Sequence, residues 1–134
     1  VLEHHVVDVL VAHHRRQPPV MGNQDIYDMV LKNLVDNAIK FTPSGSVQVM
    51  ARRDNGTVLI EISDDGIGIP AEAMSNLFKR FYRTQTAVER GIAGTGLGLY
   101  MVKENLRNYN GHIAVQSTLG KGTTFTVRLP VAQI

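Results

Sequence analysis

The sequence predicts a two-layer α+β sandwich. Three observations carry that expectation: two strand hairpins, helical patterns that interrupt them, and no repeated βαβ unit of the kind a doubly wound parallel sheet needs. The first hairpin joins Val47-Gln48-Val49-Met50-Ala51 to the run from Val58 to Ile62 through Asp54-Asn55-Gly56, and Asn-Gly between alternating segments favours an antiparallel pair. The second joins Ile113-Ala114-Val115 to Thr124-Phe125-Thr126-Val127-Arg128-Leu129 around Leu119-Gly120-Lys121-Gly122. There is neither an internal repeat nor a low-complexity segment.

In chain order, Val6 to Ala12 reads as a short apolar strand, ended by His13-His14-Arg15-Arg16-Gln17-Pro18-Pro19 because proline continues neither a ladder nor a helix. His4, His5, His13 and His14 read as a solvated edge; Leu2-Glu3-His4-His5 also fits a remnant of cloning. From Asp25 to Lys40 the apolar residues Tyr27, Val30, Leu31, Leu34, Ala38 and Ile39 recur at threes and fours, which predicts an amphipathic helix capped by Asp25 and stopped at Thr42-Pro43-Ser44-Gly45. At 100° per residue, Asn33, Asn37 and Lys40 share an arc of about 60° roughly opposite the apolar stripe. Asparagine is a weak helix former that competes for local backbone bonds, so something other than helix stability is expected to select two of them there.

Pro70-Ala71-Glu72 suits a helix start, and Met74, Leu77, Phe78, Phe81 and Tyr82 continue at helical spacing with their rings read as core. Thr84 to Ala93 shows no periodicity and is expected to be a mobile loop. Thr95 is the expected cap of a helix from Leu97 to about Tyr109, with Leu99, Val102, Leu106 and Tyr109 facing inward and Asn110-Gly111 as its stop.

Composition bounds the function. A chain of 134 residues with 43% hydrophobic residues is long enough for one domain with a real core. Without cysteine there is no disulfide framework, thiol nucleophile or thiolate metal site. A formal charge of +2, despite a pI near 9.1, together with four Phe, four Tyr and no basic run, argues against a nucleic-acid partner. No stretch approaches the ~20 apolar residues of a membrane span, so no direct membrane contact is expected. The start at Val1 without an initiator Met suggests a piece of something longer.

The chemistry gathers around Asp64-Asp65-Gly66-Ile67-Gly68-Ile69-Pro70. A carboxylate emerges there at a strand end, and glycines let the backbone lie close to a flat ligand. A second glycine run, Gly94-Thr95-Gly96-Leu97-Gly98-Leu99, opens a helix, whose unpaired N–H groups and positive dipole end favour a phosphate. Two glycine loops and one carboxylate suggest a nucleotide site.

These residues resemble the ATP-binding catalytic domain of sensor histidine kinases, in the superfamily (Bergerat, or GHKL) shared with type II topoisomerases, mismatch-repair ATPases and ninety-kilodalton heat-shock chaperones. Asn33-Leu-Val-Asp-Asn37-Ala-Ile-Lys40-Phe41-Thr42-Pro43 looks like the N box, Asp64 to Gly68 like the first glycine box, Leu77-Phe-Lys-Arg-Phe-Tyr-Arg83 like the F box, and Gly94 to Leu99 like the second glycine box. The ending Gly120-Lys-Gly-Thr-Thr-Phe125 with Leu129-Pro130 also fits. One domain over residues 1–134 is expected, with the match at 19–130 and residues 1–18 a poorly matched strand or cloning-derived segment.

The resemblance implies a mixed, mostly antiparallel sheet with about three helices on one face and a flexible lid. It implies that Asp64 accepts from the adenine amino group, that Gly66, Gly68 and Ile69 lie close to the base, that Phe41 packs on it, and that Thr123 supports Asp64 through water. Asn37 would coordinate Mg²⁺ with Asn33 nearby. Lys40 and Arg83 would neutralise phosphate charge, and Gly94, Thr95, Gly96, Leu97 and Gly98 would fold over it; Asn33, Lys40 and Arg83 are the expected catalytic residues. Asp65 stands where the family often has Asn.

The implied reaction is transfer of the ATP γ-phosphoryl group to a histidine on a separate dimerisation and phosphoacceptor domain of the same parent protein, with a response regulator downstream in two-component signalling. The domain would be cytoplasmic and its parent can be membrane-anchored. His14 is rejected as acceptor, because Arg15 replaces the family's acidic neighbour and only nineteen residues separate it from Asn33. The alternatives are a superfamily ATPase, against which Asn33 occupies the position of the water-activating glutamate, and a non-catalytic nucleotide-binding module. The anti-sigma serine kinases are disfavoured by the F box.

Overall fold

Alternating patterns build one sheet from β1 (His5–Val11), β2 (Gly45–Asp54), β3 (Thr57–Asp64), β4 (His112–Thr118) and β5 (Gly122–Pro130), in the spatial order β1-β2-β3-β5-β4. The computed structural model describes residues 5–11 and 24–130; Leu2 to His4 and His13 to Pro19 lie outside them. β1 pairs parallel to β2, whereas the other neighbours are antiparallel, so the sheet is mixed. The β2–β3 turn has the left-handed backbone that Asn-Gly tolerates, with φ of 44° at Asn55 and 80° at Gly56.

Two helices cover one face, α1 (Gln24–Lys40) and α3 (Gly98–Asn108). Because paired residues share a face, the register stacks apolar rows across the sheet: Val49, Ile62, Phe125 and Val115 form one, and Ala51, Ile60, Val127 and Ile113 the next. Onto them α1 lays Ile26, Val30, Leu34 and Ala38, and α3 lays Val102 and Leu106, all buried. Each large side chain fully removed from water stabilises the fold by about 1.5–3 kcal/mol before entropy is counted. At the end of α3 the backbone turns left-handed at Asn110 (φ 58°), and a Cβ on Gly111 would fall 2.7 Å from Leu129 Cδ2. The expected Asn-Gly stop is therefore also a packing requirement.

The structure differs from expectation in four places. α1 begins at Gln24, so Asp25 lies in its first turn and not at its cap. Residues 71–82 do not form one helix: a 3-10 helix covers Ala71–Asn76 and turns follow, with Phe81 at φ 63° and its ring, expected in the core, 65% exposed. Tertiary contacts override the helical spacing, because Phe78 meets Phe125 edge-on at 6.4 Å, Lys103 and Arg80 make cation–π contacts with Phe78 and Tyr100, and the Phe81 N–H donates to Gly96 O at 2.9 Å. Residues 84–93 contain a short helix, α2 (Gln85–Glu89), where an irregular loop was expected; Thr84 Oγ1 caps it by accepting from Ala87 N at 3.1 Å. Thr95 is not the cap of α3. Leu97 holds that position without a side-chain cap, and Thr95 Oγ1 accepts from Leu97 N at 3.3 Å.

Candidate functional site: a nucleotide cavity at the polar end of the sheet

Beyond the two apolar rows, the next row on the same face is Val47, Asp64, Thr123 and Ser117. The sheet's inner face therefore changes from core to polar chemistry within one register step, at the floor of a cavity of about 440 Å³. Asp64 is half-buried there, and its Oδ1 accepts from the Gly66 N–H at 2.9 Å. Burial pushes its carboxyl pKa above the ordinary value, opposed by the N–H groups of Gly66 and Thr123 and by the Thr42 hydroxyl, while the Asp65 charge adds to the rise. The Thr42 hydroxyl is fully buried beside Asp64, yet it finds no well-directed hydrogen-bond partner among the described residues. A partly desolvated acceptor beside an unsatisfied hydroxyl fits a ligand that brings its own hydrogen-bonding edge.

The walls come from α1 and the second glycine run. Asn33, Asn37 and Lys40 line one side, with Phe41 just past the helix end. The Asn33 amide NH₂ donates to Met29 O at 2.9 Å, which turns its Oδ1 towards α3, where a Cβ on Gly98 would lie 3.2 Å away. Gly94, Thr95, Gly96, Leu97 and Gly98 close the opposite side, with φ of +75° at Gly96. A Cβ on Gly96 would fall 2.6 Å from Phe81 C, so the close crossing of these two segments needs glycine. Arg83 also lines the cavity, and one guanidinium nitrogen donates to Ile92 O.

Gly68, Ile69 and Thr123 complete the base of the cavity. Gly66 does not line it: a Cβ there would fall 2.1 Å from Phe41 O, so this glycine lets the loop pass behind Asp64 and the end of α1. Asp65 turns away from the site and accepts from Ser46 N at 2.7 Å, tying the loop to β2. Fourteen of the fifteen residues expected at the site thus meet around one cavity, Gly66 being the other. Sequence patterns pointed to Thr42 only as part of the helix stop and the N-box match, and did not point to Ser117 or to the apolar lining from Met29 and Ile92. The one signal for Ser117 is its pairing with Thr123 across the second hairpin.

A polar-ended mixed sheet, an amide-bearing helix face and a glycine-rich wall over one carboxylate define a nucleotide-binding ATPase fold. The model of the histidine kinase-, DNA gyrase B- and HSP90-like ATPases matches residues 22–133, and the chain belongs to that family. Within it, the relatives are sensor histidine kinases: the circadian input-output histidine kinase CikA of Synechococcus elongatus is 42% identical over 102 residues, covering 75% of this chain and 14% of CikA. Among solved structures, the mycobacterial sensor histidine kinase MprB superposes with a TM-score of 0.77 at 28% identity, covering 97% of this chain and 84% of that one. Full-length ShkA in complex with AMPPNP gives 0.82 at 27% identity, covering 98% of this chain and 27% of ShkA. This chain spans between 14% and 29% of the length of the curated relatives it matches.

Proposed function

We propose that this chain is one ATP-binding catalytic domain of a sensor histidine kinase, which binds ATP with Mg²⁺ in the cavity over Asp64 and passes the γ-phosphoryl group to a histidine on a separate dimerisation and phosphoacceptor domain of the same parent protein. The bond between the γ-phosphorus and its bridging oxygen breaks, a bond from phosphorus to an imidazole nitrogen forms, and ADP leaves. A response regulator then takes the phosphoryl group in two-component signalling. The domain works in the cytoplasm, whether or not its parent is anchored in a membrane.

The observation that carries this reading is the convergence of one desolvated carboxylate with the amide face of α1 and the segment 94–98 around a single cavity. Asp64 accepts from the adenine amino group, in a charge-assisted bond of about 1.5–3 kcal/mol. Phe41, Gly68 and Ile69 enclose the base, and Thr123 extends the polar floor beside Asp64. Lys40, Arg83 and the N–H groups of the segment 94–98 with the start of α3 offset phosphate charge.

Magnesium fits the donor set. Among the described residues no group of three or more His, Cys, Asp or Glu could hold a metal alone, whereas the Asn33 oxygen is left open and Asn37 lies one turn on. Hard amide oxygens that supplement phosphates and water suit this ion, which would neutralise phosphate charge when bound. The protein's share of such a transfer is positioning and charge stabilisation. Calorimetric titration with ATP and Mg²⁺, followed by incubation of the ATP-loaded chain with a purified phosphoacceptor domain, tests the reading. Heat of binding and acid-labile label on the acceptor histidine are expected; absence of binding would sink it.

A further inference from the structure

The amide face of α1 carries a fourth polar side chain, Asp36. Asn33, Asp36, Asn37 and Lys40 recur at threes and fours and so share one side of the helix, and all four line the cavity. Asp36 and Lys40 are exposed and stand at its mouth, whereas Asn33 and Asn37 are half-buried and reach further in. Among the described residues that line the cavity, Asp64 is the one other carboxyl group, and the Gly66 N–H holds it. Asp36 is not held in this way. Neither a hydrogen bond nor an ion pair reaches it among the described residues, and Lys40, one turn on, makes no bridge to it.

Its place decides what it meets. Asn33 Oδ1 lies towards Gly98 at the start of α3, the end of the cavity where phosphate charge is expected, and Asp36 follows about 4.5 Å further along the helix axis. A carboxylate left uncompensated there repels a triphosphate. The same charge attracts a hydrated cation, because Mg²⁺ keeps several of its waters and their protons need acceptors. Asp36 therefore opposes the nucleotide alone and favours the nucleotide with its metal.

We propose that Asp36 is a positioning residue that makes nucleotide binding conditional on the metal: its carboxylate accepts hydrogen bonds from the waters of the Mg²⁺ held by the phosphates and the α1 amides, and it repels the same nucleotide without metal. This rests on the ATP-binding reading above and adds to it the group that couples nucleotide to metal.

The test titrates the full chain calorimetrically with ATP in EDTA and with ATP in excess Mg²⁺, and reads the ratio of the two affinities. Asp36→Asn should tighten metal-free ATP by about two- to fivefold, the range of one exposed charge pair. It should weaken Mg²⁺-ATP, and the ratio should fall by about tenfold, the low end for an outer-shell partner of a metal because Asp36 is exposed. Asp36→Glu keeps the charge and should keep the larger part of the ratio. Glu61→Gln removes one negative charge from the opposite face of the sheet and should move neither affinity. A purely structural role for Asp36 would weaken both forms of ATP by one common factor, and a merely solvated side chain would leave both alone; an unmoved ratio overturns the proposal. If Asp36→Asn does not fold, Asp36→Ala, which suits a helix, is read by the same criteria. Failure of the unsubstituted chain to bind ATP with Mg²⁺ would instead remove the functional reading itself.

Discussion

Replacing Asp64 by Asn separates recognition from folding. The carboxylate is half-buried, and its Oδ1 is held by the Gly66 N–H at 2.9 Å. An Asn carbonyl oxygen can keep that bond, but the amide NH₂ then stands where the second carboxylate oxygen was, and in the proposed reading it would meet the adenine amino group donor to donor. Loss of a charge-assisted hydrogen bond of about 1.5–3 kcal/mol predicts an ATP affinity about 10- to 150-fold weaker. Folding should respond in the opposite sense. Burial is the first cause of the raised Asp64 pKa, so the ionised side chain is disfavoured in the folded domain and a neutral amide is not. Calorimetric titration with ATP and Mg²⁺ alongside nucleotide-free thermal unfolding should show much weaker binding with Tm unchanged or higher. A parallel fall in Tm would mean that Asp64 holds the fold, and unaltered affinity would mean that the base sits elsewhere; either refutes the reasoning.

The raised Asp64 pKa also predicts pH behaviour: the folded state holds this proton more tightly than the unfolded one, so its stabilising contribution is present below the unfolded pKa and lost as pH rises through the folded pKa. In the proposed reading ATP is held by the carboxylate, so affinity should begin to fall on acidification above the ordinary Asp range, and titration of Asp64→Asn should lack that step. Gly96→Ala places a Cβ 2.6 Å from Phe81 C at φ +75°. The left-handed penalty of ~1–2 kcal/mol belongs to the folded chain, so a loss of at least that size is expected in urea unfolding, and an unchanged unfolding midpoint would show that the crossing of Phe81 and Gly96 does not need glycine. Asn37→Asp should widen the gap between Mg²⁺-ATP and metal-free ATP affinities and leave adenosine binding alone; equal losses for both forms of ATP would contradict its role at the metal. Leu34→Ala empties a fully buried site in α1 and should cost about 2–5 kcal/mol in urea unfolding, and a loss well under that range would place Leu34 outside the core.

Wherever a local pattern and the tertiary packing agree, the element was legible. α1, both hairpins and the inward stripe of α3 follow from period and turn chemistry, because each meets the core with the face its own sequence makes apolar. The chain around residues 71–93 was not legible in this way. Met74, Leu77 and Phe78 have helical spacing, yet the ring of Phe78 is claimed by Phe125 and the backbone of Phe81 by Gly96, partners 47 and 15 residues further along. A local period carries no information about such partners.

By itself the sequence determined the class of fold, the family and most of the residues that gather at the site, since these depend on residue types at short spacings along the chain. Only the tertiary structure decided how each of them is held there. It set Gly66 behind the carboxylate and not against the ligand, turned Asp65 to Ser46, left the Thr42 hydroxyl unsatisfied, and brought Ser117 to Thr123. The physical reason is that burial and hydrogen-bond direction are properties of three-dimensional neighbours, and strand register supplies those neighbours from segments far apart in the chain.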